Sequence, residues 1–152
     1  MSCAIRNPLR DDRGAAVIEL ALVAPMLALM TIGIIDVSQA FNRRLTLEQA
    51  AQRAIEKVMQ TTGETTPEET IKAEAAAQGD VAEEDVTVTY RLECNGEAQD
   101  TFDTECAEGE TESRYLMVNV AGSYEPMFPT HYFGNDSDKV YHMTATAGMR
   151  TK

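Results

Sequence analysis

Glu19 is the one ionisable side chain in an otherwise apolar run from Ala15 to Ile35, AAVIELALVAPMLALMTIGII. A charged carboxylate in hydrocarbon costs roughly 2.5 to 3.5 kcal/mol at the centre of a membrane helix, so its position near the start of the run needs a physical reason. Two readings are open. In one, Glu19 sits about a helical turn inside the interface and reaches headgroups or water. In the other it is kept for a partner charge, and Gly14, five residues upstream and preceded by charged residues, belongs to the same site.

The cysteines form a second group. Cys3 stands near the N-terminus, whereas Cys94 and Cys106 lie together in a polar stretch far downstream. If the C-terminal part is exported, Cys94 and Cys106 can close a short loop as a disulfide, worth on the order of 2 to 3 kcal/mol. In a cytosolic chain all three would be free thiols. Two thiols with no histidine close by are too few ligands for a zinc site, and no metal site is expected.

The remaining candidates are weaker. His131 and His142 are the only histidines, and neither lies in a ligand motif such as H-E-x-x-H, so surface or sheet-packing roles are expected. Asn135, Asp136 and Asp138 offer hard oxygen ligands of the kind calcium takes, but without the full loop pattern they read as a solvated turn. There is no phosphate-cradling glycine loop and no nucleophile elbow, so no enzyme class and no cofactor are suggested. With 25 acidic and 13 basic residues the net charge is -12, which argues against a phosphate-binding surface and hence against nucleic acid.

The elements that must carry these residues follow from periodicity. The run 15–35 is about the length that spans a bilayer as a helix. Arg6, Arg10 and Arg13 flank its N-terminal end, which the positive-inside rule keeps cytoplasmic. Pro25 and Gly33 interrupt the run and would let it bend or locally unwind. Phe41, Leu45, Ala51, Ile55 and Val58 recur at helical spacing with polar residues between them, so one helix is expected from about Ala15 to about Gln60, apolar first and amphipathic after. Thr66, Pro67, Glu68 and Glu69 read as a cap, a proline at the first helical position and acids near the positive helix end, opening a short helix to about Gln78 that Gly79 ends. Strands are expected over Val86 to Cys94, Tyr115 to Tyr124 and Val140 to Met149, with a polar loop Asn95 to Thr111. The fold class is α+β: a long N-terminal helix packed on a small antiparallel β-sheet domain.

The segment RGAAVIELALVAPMLALMTIGIIDVSQAFNRRL, starting at Arg13, and the later YEPMFP, starting at Tyr124, resemble the TadE-like pseudopilins of the tight-adherence (Flp, type IVc) pilus system. That resemblance implies a type IV prepilin: residues 1–14 as a cytoplasmic leader, 15–60 as a membrane and spine helix, and 61–152 as an extracytoplasmic domain. It implies that prepilin peptidase cuts after Gly14, making Ala15 the new N-terminus, and that Glu19 serves assembly by pairing with such an ammonium group, in cis or on a neighbouring subunit. Implied partners are the peptidase, other pilins through the apolar helix, the assembly platform and the membrane. The implied location is the inner membrane, with the domain periplasmic or carried to the cell surface in a pilus. Leu20 follows Glu19 where major Flp pilins usually place an aromatic, which favours a minor pilin or assembly factor over the main subunit. An uncleaved, signal-anchored envelope adaptor with a protein-binding outer domain is the alternative. A secretory signal that releases a soluble domain is a weaker third, because the run is long for a signal.

Overall fold

The computed structural model describes residues 12–60, 67–127 and 139–151. The chain divides into two units, the first ending at Ser38 and the second running from Gln39. Helix α1, Asp12–Gln60, contributes to both. It starts three residues before the expected Ala15 and is unbroken through Pro25. Within the first unit nearly every described side chain is exposed, among them Val17, Leu20, Leu22, Met26, Leu29 and Ile34. Exposed apolar surface of that extent on one helix suits contact with lipid or with other helices.

The second unit is an α+β domain. After α1 come α2 (Glu68–Gly79), a single 3-10 turn (Glu83–Asp85), and strands β1 (Val86–Cys94), β2 (Glu97–Ala98), β3 (Glu112–Tyr124) and β4 (Tyr141–Arg150). The sheet order is β2-β1-β3-β4, with every neighbouring pair antiparallel. β1 occupies the expected residues, while β3 begins three residues earlier than expected and β4 is displaced by one.

Alternation along the strands selects the covered face. Leu116, Val118 and Val120 of β3 are buried, and the register sets Val118 between Val88 and Ala147, and Val120 between Val86 and Ala145. The other face carries Thr87, Thr89, Asn119, Thr144 and Thr146 and is open or half-open. Such one-sided alternation is the signature of an antiparallel sheet covered on one face only.

What covers the sheet is a seam of small residues. On α1 the buried positions are Leu47, Ala50, Ala51, Ala54 and Ile55, with Val58 half-buried, which is one stripe at helical spacing. Of the residues expected on that stripe, Ala51, Ile55 and Val58 are on it, Leu45 is half-buried and Phe41 is 61% exposed. Phe41 falls outside because the stripe begins two turns later, where the domain starts to cover α1. On α2 the buried residues are Ile71, Ala75, Ala76 and Gly79. A Cβ on Gly79 would lie 3.2 Å from the Ala50 Cβ, and one on Gly122 would lie 2.9 Å from Leu47 Cδ2, so both glycines are places where α1 is approached closely.

The end of α2 is fixed by backbone chemistry and by one arginine. The helix includes Gly79, and it is Asp80 that turns left-handed at φ 50, while the Val81 N–H returns to the Ala76 carbonyl at 3.2 Å in a Schellman-type closure. Arg43 of α1 donates to the Gly79 carbonyl at 2.7 Å, to the Asp80 carbonyl at 3.1 Å and to the Ser123 carbonyl at 3.3 Å. A guanidinium at this position satisfies carbonyls that the helix leaves unpaired and complements the negative end of its dipole. Pro67 is the N-cap residue rather than the first helical one and gives no side-chain cap, so α2 is held chiefly by its far end and its buried face.

Candidate functional sites on the N-terminal helix and the disulfide loop

Gly14 and Glu19 both lie on α1 and both are exposed. Gly14 falls in the first turn of the helix, and nothing lies within 4 Å of where a Cβ would sit. A peptide bond in a helix is closed to proteases, but the first turn lacks backbone acceptors for its N–H groups and frays at little cost. Extending from Ala16, the described part of this helix is long and apolar enough to cross a membrane. The polypeptide ahead of Asp12, including Cys3, Arg6 and Arg10, lies outside the described residues, as do Thr66, His131, Asn135, Asp136 and Asp138.

Cys94 and Cys106 are joined as a disulfide, with their Cα atoms 5.6 Å apart. Cys94 ends β1 and is buried. From there the chain turns back through Asn95 at φ 52 and Gly96 at φ 86, and Cys94 pairs with Glu97 across the two-residue turn. Two successive left-handed residues make a type I′ hairpin turn, for which Asn-Gly is the favoured sequence. The expected loop therefore contains a short hairpin. The Asn-Gly dipeptide behind an alternating strand was the signal for it.

Arg114 organises the rest of the loop. Its guanidinium donates to the Phe102 carbonyl at 2.8 Å and the Thr104 carbonyl at 2.9 Å, pairs with the Glu112 carboxylate at 2.5 Å, and lies 4.9 Å from the Phe102 ring centroid. The Phe102 ring also meets Tyr90, with centroids 5.2 Å apart. Burial pushes the Tyr90 phenol above its ordinary value, the Glu68 carboxylate adds to the rise, and Lys72 opposes it. A carboxylate oxygen of Glu110 and the two cysteine sulfurs all lie within 4.8 Å of one another. Those three atoms would suit a metal only with free thiols, and the disulfide occupies both sulfurs. His142 lies on β4 and is exposed, far from any such grouping among the described residues.

The arrangement holds no converging nucleophile, base and oxyanion donors among the described residues. What it offers is an apolar helix surface carrying the Glu19 carboxylate near its start, and a disulfide-linked loop. No curated protein and no solved structure matches the chain. A family model does, over residues 14–55, from the glycine of the first helical turn to the last buried isoleucine of the α1 stripe, and its description is TadE-like protein; over that stretch the helix that opens this chain is similar to that of TadE-like proteins.

Proposed function

We propose that the protein is a minor pilin of a tight-adherence type IV pilus, cut by prepilin peptidase between Gly14 and Ala15 and active in priming or entering the filament. The observation that carries this reading is that the family match opens at Gly14, with Glu19 five residues on in the apolar helix. Cleavage would create an ammonium group at Ala15 within about one helical turn of Glu19, and pairing the two removes an isolated charge from an apolar setting. A neighbouring subunit's ammonium group can replace it and set the axial register of packed helices. Residues 1–14 are then a cytoplasmic leader, 15–60 the anchor and spine, and 61–152 a domain outside the cytoplasm. The disulfide suits an oxidising compartment. The acidic charge keeps the outer surface soluble and names no partner.

One observation favours a second reading, an uncleaved anchored adaptor: α1 begins at Asp12, so the site of the cut lies inside the helix. Intact mass and N-terminal sequencing of protein from cells with and without prepilin peptidase separates the two. A peptidase-dependent start at Ala15, lost in Gly14→Leu, is the expected result. An intact N-terminus in both backgrounds leaves the adaptor.

A further inference from the structure

β4 is the outer strand on its side of the sheet, with no described strand beyond it. Its pairing with β3 runs unbroken from Tyr141↔Tyr124 to Arg150↔Tyr115, so no bulge twists the edge away. Met143 to Met149 reads MTATAGM, without a proline and without a charge. Bulges, prolines and edge charges are among the devices by which natural sheets protect an edge, and this stretch has none of these three. The opposite edge is different. There β2 is only two residues long, and β1 carries the charged pair Arg91 and Glu93.

Beside the β4 edge runs an open groove of about 370 Å³, lined by Gln52, Ile55, Glu56 and Met59 of α1 and by Thr146, Ala147 and Gly148 of β4. Met59 is 59% exposed on its wall, a large apolar side chain with little cover. Edge and groove together define the chemistry of an occupant. The edge strand offers alternate N–H and C=O groups to an extended backbone, and every second side chain of that backbone would point down toward Ile55 and Met59. Glu56, the one charged residue lining the groove, favours a basic segment over an acidic one.

We propose that the outer edge of β4, with the groove beside it, receives an extended, basic segment of a partner protein as an added strand, with small apolar side chains at alternate positions. A second copy paired β4 to β4 is a poorer occupant. Two copies of this face would bring their Glu56 carboxylates to the same seam, and like charges disfavour that pairing. The proposal holds whether or not the leader is cut at Gly14.

The test uses the full-length protein in lipid nanodiscs and a fluorescent nine-residue peptide of alternating valine and threonine with lysine at each end. Saturable binding is expected, weakened about tenfold or more when alternate peptide nitrogens on the pairing side are methylated, because each removes a strand hydrogen bond. Met59→Asp is expected to weaken binding to a similar extent while leaving the melting curve in place, since Met59 is a surface residue. The same peptide ended in glutamate is expected to bind less well at low salt. Absence of saturable binding, or binding indifferent to both N-methylation and Met59→Asp, overturns the proposal. So does a β4-to-β4 dimer, seen as a Thr146→Cys to Thr146→Cys cross-link that the peptide does not compete.

Discussion

The contact between Leu47 and Gly122 can be measured as a coupling energy. Leu47 is fully buried, so Leu47→Ala removes apolar burial and leaves a cavity at a cost of about 3 kcal/mol. Gly122→Ala acts in two directions. It restricts the unfolded chain, which stabilises by about 0.4 to 1 kcal/mol. It also sets a methyl 2.9 Å from Leu47 Cδ2 and 3.0 Å from Cδ1, closer than real contacts allow, and overpacking of this kind costs about 1 to 3 kcal/mol. The net effect of Gly122→Ala alone is a loss of about 1 kcal/mol. With Leu47 already cut back to alanine the clash disappears and the new methyl occupies part of the cavity, so the same change becomes stabilising by roughly 0.5 to 1 kcal/mol. The coupling is therefore about 1.5 to 2 kcal/mol in favour of the double variant. Urea unfolding of the full-length protein in detergent measures it, followed by the near-ultraviolet signal of the five tyrosines, all of which lie beyond Gln39. Comparable m-values across the four proteins qualify the comparison. Additivity within about 0.5 kcal/mol would refute the argument, because it would mean that Leu47 and Gly122 do not touch.

Three further outcomes are expected. Replacing Cys94 and Cys106 together by serine should lower stability by about 3 kcal/mol from loss of loop closure across a sequence separation of 12, which equilibrium unfolding under oxidising conditions will show. For Tyr90 the folded pKa lies above the unfolded value of about 10, so its contribution is full below that pH and is lost as pH rises through the folded value. Stability measured from pH 9 upward should accordingly fall more steeply in the wild type than in Tyr90→Phe, and parallel curves would count against burial as the cause. Glu19→Ala should still be cleaved at Ala15 but should reduce piliation seen by electron microscopy; normal pili in that variant would remove Glu19 from assembly.

Period and run length carried most of this fold. VTVTYRLEC has a strand's alternation, and β1 covers just those residues. The long α1 was legible because its two halves are apolar in different ways, continuous first and striped after. The position of the stripe was not, because Ala50 and Ala54 give little hydrophobic signal and their burial depends on what α2 brings opposite them. Phe41 looked like core on hydrophobicity alone, and only tertiary structure shows that the domain does not reach it. Gly79 read as a stop signal, yet it is the last helical residue. A Cβ there would crowd Ala50 at 3.2 Å, and the left-handed position is Asp80. The Gly14 and Glu19 pair was visible in the sequence as residue types at a spacing, and the family match overlies that spacing.

Arg43, Leu47 and the alanines after it belong to the same helix as the membrane-length segment, yet they are structural parts of the α+β domain. The apolar segment and the first element of the domain are thus stretches of one helix. A protease or an engineer who wants the folded domain free of the apolar segment has to cut upstream of Arg43, near the boundary at Ser38 and Gln39. A cut downstream of Leu47 begins to remove the stripe that covers the sheet, and one past Ile55 leaves Val118 and Val120 without α1 over them. Release by shedding therefore has a narrow permitted window, and a fragment beginning with α2 should be recovered unfolded or not at all.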